Sequence, residues 1–203
     1  MIYFSDVDVV VKLAACGFLP WLPELLDVRD DEIRIQYLAS LKARVSRSSK
    51  KLENEVHRDH LDAFCKVHGI IEAAADIDRQ ERLLHGGMDP GEAILFAEAE
   101  ASGGIVVTGD KRALETHARL STAADRAKLK VVCWEQLLLR VHHLKGYEVL
   151  KRGGCEGMKH DGLLRLAFSS GFVTSEDHAI SAIRSYFNDV KNRHGDVLAS
   201  LEV

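Results

Sequence analysis

Four acidic residues lie at junctions between predicted strands and helices, where alternating α/β chains often have binding or catalytic sites. They are Asp6, Asp8, Glu92 and Asp110. Carboxylates are the ligands that hard divalent cations such as Mg²⁺ and Mn²⁺ prefer, and clustered carboxylates repel one another unless a cation neutralises them. If these side chains meet, the sequence therefore predicts a Mg²⁺ or Mn²⁺ site.

The stretch 88–115 predicts the elements that position two of these acids. Asp89 opens a capping-box arrangement with Pro and Glu behind it, which predicts a helix over 90–102. The apolar run Ile-Val-Val-Thr at 105–108 predicts a short buried strand, and Asp110 follows it. The predicted order is helix, strand, acid.

The handedness of parallel α/β connections gives this order its chemical meaning. Strands in such a chain run parallel, and each crossover helix runs back antiparallel to them. The start of helix 90–102 and the end of strand 105–108 therefore face the carboxyl edge of the sheet, where open α/β sheets place their sites. A predicted strand at 2–6 carries Asp6 and Asp8 to the same edge. We expect the four acids to converge there.

Such a cluster has two interpretations. Two divalent ions held by carboxylates stabilise the attacking and leaving oxygens of an in-line phosphoryl displacement. The same acids also suit a purely structural role, because Asp is a favoured helix cap and Asp89 with Glu92 forms a capping box. Sequence reasoning leaves both interpretations open.

The bulk composition is that of an ordinary globular protein. The chain has 203 residues, of which 46% are hydrophobic and 29% charged, with a formal net charge of −4. This predicts one α/β domain with an appendage, and it disfavours a uniformly basic surface that coats nucleic acid. No apolar run is long enough for a membrane span and no signal pattern is evident, so we expect no membrane association and a cytoplasmic location. Four scattered cysteines favour reduced thiols.

The hydrophobic pattern predicts a parallel sheet of four or five strands followed by a helical tail. Lys-Arg-Gly-Gly at 151–154 is the best candidate for a boundary, which divides the chain into a domain at 1–150 and a helical C-terminal extension at 151–203. The predicted strands are 2–6, 32–36, 70–71, 105–108 and 130–133.

Three motifs of the chain resemble those of PIN domains. The segment 2–8, Ile-Tyr-Phe-Ser-Asp-Val-Asp, is similar to the family's opening strand, which ends in Asp. The segment 89–93, Asp-Pro-Gly-Glu-Ala, resembles its Gly-Glu-Ala helix, and 107–110, Val-Thr-Gly-Asp, resembles its Thr-x-Asp strand end. The resemblance covers roughly residues 1–145, with the motifs in the family's order and spacing.

PIN domains have a three-layer α/β/α fold and are metal-dependent ribonucleases, often the toxins of toxin–antitoxin pairs. The resemblance implies that Asp6, Glu92 and Asp110 are catalytic acids that bind Mg²⁺ or Mn²⁺, with Asp8 as a further ligand and Thr108 supporting Asp110. It also implies an endoribonuclease that cleaves RNA with metal-activated water, a partner such as an antitoxin or another protein, and a homodimer.

Two departures from the family pattern keep a non-catalytic alternative open. The family usually has another acid on the helix after strand two, but the helix predicted over 38–51 has none and carries Lys42 near that place. Val7 also replaces the usual hydroxyl residue. A catalytically weakened PIN-like scaffold that binds RNA or protein without cutting is the main alternative.

The pair Asp6-x-Asp8 after an apolar strand also resembles haloacid-dehalogenase-like phosphatases, whose Asp-x-Asp supplies a nucleophile and an acid/base. That family follows its motif with Gly-Thr and a flap, whereas residues 9–12 continue directly into a predicted helix. The sequence after Asp110 also lacks a second Asp at the expected spacing. This alternative is the less favoured one.

A basic run places five positive charges within residues 42–51. Such a run can follow an RNA backbone beside the acids, although a solvated helix face or an acidic protein partner explains it equally well. The candidate nucleic-acid contacts are Lys42, Arg44, Arg47 and Thr108.

Overall fold

A computed structural model describes residues 3–35, 52–68 and 74–202 of the chain. Two sequence predictions lie outside these ranges: the strand at 70–71 and the basic helix at 38–51. The predicted RNA contacts Lys42, Arg44 and Arg47 belong to that helix.

The described residues form one sheet of four parallel strands in the order β2-β1-β3-β4. The registers place Ser5 of β1 opposite Ile35 of β2 on one side and opposite Val107 of β3 on the other. The predicted α/β class with a parallel sheet is confirmed. The strands are β1 (Tyr3–Ser5), β2 (Ile33–Ile35), β3 (Ile105–Thr108) and β4 (Lys130–Cys133).

Helices fill the connections and follow the last strand. Several begin with an Asp, Asn, Ser or Thr cap whose side chain accepts a hydrogen bond from the first turn, as these residue types favour. In the described ranges they are α1 (Val7–Ala15), α2 (Leu22–Leu26), α3 (Glu55–Val67), α4 (Ile77–His85), α5 (Pro90–Ser102), α6 (Lys111–Leu120), α7 (Ala123–Lys128), α8 (Trp134–Lys145), α9 (Tyr147–Gly157), α10 (Gly162–Ala167) and α11 (Glu176–His194).

Helices cover both faces of the sheet. Successive strand residues point to opposite faces, so neighbouring residues of one strand pack against different helices. Tyr3 and Val107 pack in a hydrophobic cluster with α1, α2, α3 and α8. Phe4 and Val106 pack in a second cluster with α5 and α6. Strands buried on both faces read as continuous apolar runs, which is why the central strand at 105–108 was recognisable in the sequence.

The C-terminal extension packs directly on the rest of the molecule. The division predicted after residue 150 falls within α9, and the two glycines of the predicted boundary are buried in that helix. A Cβ at Gly153 would lie 2.3 Å from Phe18 Cε1, and one at Gly154 would lie 2.2 Å from Phe168 Cε2. These glycines therefore allow close packing of α9 where the sequence suggested a linker.

The chain end also covers one edge of the sheet. Val131 of β4 donates its N–H to the Val197 carbonyl at 2.8 Å, and its own carbonyl accepts from Ala199 N at 2.8 Å. This pairing shields an edge strand that would otherwise present unpaired backbone groups.

In the described ranges, no single helix combines the length and apolar character needed to cross a bilayer. Two consecutive helical segments, residues 7–15 and 19–26, together reach that length and apolar character, but the chain bends by 117° between them.

Candidate functional site

Asp6 and Asp110 follow neighbouring strands at the carboxyl edge of the sheet. The Asp6 N–H donates to the Val107 carbonyl at 2.9 Å, which continues the β1–β3 pairing one residue past the end of β1. Asp110 comes two residues after Thr108, the last residue of β3. The strand order thus places these two acids on the same edge, as the crossover argument predicts.

Three aspartates at this edge cap helices, but α5 lacks the capping box predicted for Asp89 and Glu92, because Asp89 accepts from Gly91 N. Each carboxylate accepts a backbone N–H in the first turn of its own helix, and a carboxylate has about four lone-pair sites in all. The bonds run from Asp8 N to Asp6 Oδ1 at 3.2 Å, from Gly91 N to Asp89 Oδ1 at 2.9 Å, and from Arg112 N to Asp110 Oδ1 at 2.7 Å.

Glu92 is the buried member of the group. It lies in the first turn of α5 and is 8% exposed. Burial, followed by the charges of Asp110, Asp6, Asp89 and Asp8, raises the pKa of Glu92 to about 8. Its carboxyl is therefore mostly protonated at neutral pH, and it lies within electrostatic reach of the other predicted acids.

Thr108 fixes the turn that presents Asp110. Its side chain is buried, and its Oγ1 accepts the Asp110 N–H at 3.0 Å. The hydroxyl therefore holds the start of α6 against the end of β3. The contact is to the backbone of Asp110 and not to its carboxylate.

Two adjoining cavities open onto the acids. One, of 340 Å³, has Glu92 in its wall, and the other, of 280 Å³, is lined by Asp6 and Asp8. Asp110 and Arg112 line both. The acids are accordingly reachable by a ligand, with Asp110 at the point where the two cavities meet.

Sequence reasoning missed two cations at this edge. Arg112 is 89% exposed, and its Nη2 lies 3.4 Å from Asp110 Oδ2. Lys12 lines the smaller cavity together with Asp8. The i, i+4 spacing of Asp8 and Lys12 on α1 was the available signal, because residues at that spacing share a helix face.

The carboxylates of this edge are the ligand type that suits a hard divalent cation. The ionised form of Glu92 is disfavoured by the like charges around it, and a cation would relieve that repulsion. Within 3–35, 52–68 and 74–202, however, no group of three or more His, Cys, Asp or Glu side chains is arranged so that it could hold a metal ion. The acids share an edge and the walls of two adjoining cavities.

Comparison of the chain with models of protein families, with curated proteins and with solved structures gives no match. The likeness to PIN domains therefore stays a prediction that depends on the motifs at 2–8, 89–93 and 107–110.

Proposed function

We propose that this protein is a divalent-metal-dependent endoribonuclease of the PIN type, with Asp6, Glu92 and Asp110 as the metal-binding acids and Asp8 as a further ligand. One observation carries the proposal: adjacent parallel strands bring Asp6 and Asp110 to one edge, where buried Glu92 shares a cavity wall with Asp110. The substrate would be RNA, and an antitoxin or another protein would be the partner.

The electrostatics of the edge favour a cation. Carboxylates that crowd together disfavour one another's ionised form, and a divalent ion removes that penalty. Mg²⁺ or Mn²⁺ bound there would activate water and neutralise charge on the phosphodiester. Asp6, Asp8, Glu92 and Asp110 would hold the ion, while Thr108 keeps the backbone of Asp110 in place.

The raised pKa of Glu92 gives this proposal a pH dependence. A cation must displace the proton that Glu92 holds below about pH 8. Metal affinity and metal-dependent activity should therefore rise as the pH increases from 6 towards 8.

A cleavage assay tests the proposal. Single-stranded RNA with Mn²⁺ is incubated with wild type, Asp6→Asn, Asp110→Asn and the control Asp59→Asn, which changes an exposed residue of α3. We expect wild type and the control to cleave, and both edge variants to lose at least about 10-fold, since even a partner that only orients a metal ligand is typically worth 10–100-fold. Equal cleavage by all four proteins would remove the assignment.

The second candidate is a scaffold that binds RNA or protein without cutting. It is favoured by the lack, among the described residues, of side chains arranged for an ion, and by the ion pair between Arg112 and Asp110. A Mn²⁺ titration separates the two candidates. If the protein is a scaffold, wild type should bind Mn²⁺ no more tightly than Asp110→Asn does. A generic phosphomonoester in the same assay tests the phosphatase alternative.

A further inference from the structure

Lys12 links the acid edge to the C-terminal extension. Its Nζ lies 2.8 Å from Oδ2 of Asp161, which precedes α10. The Lys12 side chain is 23% exposed and lines the 280 Å³ cavity beside Asp6, Asp8 and Asp110. A cation that originates on α1 is thus held at the predicted site by a residue of the extension.

Asp161 is built to hold that cation in place. It is 7% exposed, and its two oxygens have separate partners. Oδ1 accepts the Leu164 N–H at 3.0 Å and caps α10, while Oδ2 faces Lys12. Because the cap fixes the carboxylate, the ion pair fixes the ammonium.

Two further neighbours restrict the Lys12 ammonium. Its Nζ lies 5.6 Å from the centre of the Trp134 ring, within the range of a cation–π contact. A Cβ at Gly109 would lie 3.4 Å from the same Nζ. The ammonium therefore lies in van der Waals range of Gly109, directly beside the end of β3.

The chemistry of this arrangement suits a phosphate. An ammonium has three N–H donors, and one carboxylate oxygen does not use them all. In a cavity lined by acids, a fixed ammonium provides a contact for an anion that the acids alone would repel. A phosphodiester whose reacting phosphate faces the acids would bring such an anion.

We propose that Lys12 contacts a phosphate of the RNA substrate and that Asp161 of the C-terminal extension is a positioning residue that holds Lys12 at the acid edge. This inference rests on the proposed function, because it takes RNA as the substrate and the acids as the place of cleavage.

Metal-free RNA binding tests the Lys12 contact. The dissociation constant of a single-stranded RNA is measured in EDTA across a series of KCl concentrations, for wild type, Lys12→Ala, Lys12→Arg and Lys128→Ala. Lys128 is an exposed residue of α7 that lies just before β4, at the opposite edge of the sheet, so its variant is a control of equal charge change.

We expect Lys12→Ala to weaken binding about tenfold, as loss of a charged hydrogen bond does. The slope of log K against log salt should fall by about 0.7, the value for one phosphate contact on a single strand. Lys12→Arg and Lys128→Ala should keep the wild-type slope. Identical slopes and affinities for Lys12→Ala and Lys128→Ala would overturn the inference.

Asp161→Asn tests the positioning role without removing the helix cap, since Asn caps as well as Asp. The Lys12 side chain is unchanged in this variant, so the salt slope should stay at the wild-type value while kcat falls about tenfold and KM does not rise. The melting temperature should remain near that of wild type. A kcat equal to wild type, or parallel losses in kcat, RNA affinity and melting temperature, would contradict a positioning role.

Failure of this inference can be told apart from failure of the proposed function. The binding experiment contains no metal and needs no cleavage, so it reports on Lys12 even if Asp6→Asn and Asp110→Asn leave activity unchanged. A wild-type chain that binds RNA no more tightly than Lys12→Ala would overturn the inference whatever the cleavage assay shows.

Discussion

Helix α5 carries a buried glutamate at each end, and the two have opposite electrostatic surroundings. Glu92 lies in the first turn at the carboxyl edge of the sheet, and Glu100 lies near the last turn at the other edge. Both are largely buried, at 8% and 2% exposure. Two arginines and a histidine contact Glu100, whereas the charges that act on Glu92 are those of acids.

The surroundings of Glu100 are those of a structural ion cluster. Arg79 Nε lies 3.1 Å from its Oε2, and Arg82 Nη2 lies 3.8 Å from the same atom. His117 Nε2 contacts its Oε1, and Ser121 Oγ donates to that oxygen at 3.1 Å. Among the described residues, Oε2 accepts no hydrogen bond, so the two arginines compensate its lost hydration by charge alone.

In the described part of the chain, Glu100 has arginine partners, whereas the two cations near Glu92 pair with Asp110 and Asp161. At Glu92 the neighbouring charges are those of Asp110, Asp6, Asp89 and Asp8, and they add to the effect of burial in raising its pKa. Such an arrangement costs stability without a ligand, and carboxyl groups perturbed in this way concentrate at functional sites. The comparison therefore favours a binding role for the carboxyl edge and a structural role for the opposite edge.

The largest expected change in the free energy of unfolding is at Glu100, at the C-terminal end of α5. Glu100→Gln replaces the buried carboxylate that Arg79 and His117 contact with a neutral amide, while Arg79 keeps Asp76 and Asp125. Loss of two contacts to a charged group should lower the free energy of unfolding by about 3–5 kcal/mol. Urea denaturation at pH 7 measures it, with Glu81→Gln on the exposed side of α4 as the matched control. If Glu100→Gln and the control unfold at the same urea concentration, the cluster is not structural.

Glu92→Gln should increase the free energy of unfolding, whereas Glu100→Gln lowers it. The pKa of Glu92 is about 8 in the folded chain against an ordinary 4.5, so the native protein retains a proton that the unfolded chain releases. Wild-type stability should therefore decline as the pH rises from 4.5 to about 8, and the variant lacks this decline. We expect Glu92→Gln to be more stable than wild type by roughly 2–4 kcal/mol at pH 8 in EDTA, and similar to it below pH 4.5.

Urea denaturation at pH 5 and pH 8 checks this difference. Parallel pH dependences for wild type and Glu92→Gln would show that Glu92 ionises normally in the folded protein.

Mn²⁺ should stabilise the folded protein by relieving the repulsion among the carboxylates at the carboxyl edge, and it should have no such effect at Glu100. At a concentration 100 times its dissociation constant, an ion that binds only the folded chain adds about 2.7 kcal/mol of stability. We expect this gain at pH 8 in wild type and in Glu100→Gln, and its loss in Asp110→Asn. A gain of the same size in Asp110→Asn would place the ion elsewhere.

The smallest effect separates the two arginines of the ion cluster. Arg82 is 42% exposed and its Nη2 lies 3.8 Å from Glu100, so Arg82→Ala should cost less than about 1 kcal/mol. Arg79 is closer and more buried, and Arg79→Ala should cost more than Arg82→Ala. Urea midpoints of the two variants, measured side by side, check the order.

The part of the molecule that the sequence could predict is the part governed by local rules. Apolar runs mark the strands, and the handedness of the crossovers then places Asp6, Glu92 and Asp110 at one edge without knowledge of any side-chain contact. The caps of Asp89 and Asp110 follow from residue type in the same way.

The remaining features depend on contacts between distant segments, which periodicity does not encode. Nothing along the chain connects Lys12 to Asp161, because their pairing requires α10 to dock beside α1. Gly153 and Gly154 suggested a linker, but their small size serves the packing of α9 against Phe18 and Phe168. Glu100 lacked any signal because its side-chain partners come from other helices.

The central claim is that the acids at the carboxyl edge share a divalent cation. Calorimetric titration of Mn²⁺ at pH 7, repeated in two buffers of different ionisation enthalpy, tests it most directly, because it counts protons released on binding. With the pKa of Glu92 at about 8, wild type should release close to one proton for each ion bound, and Glu92→Gln should release almost none. Absence of Mn²⁺ binding, or equal proton release by both proteins, would contradict the account.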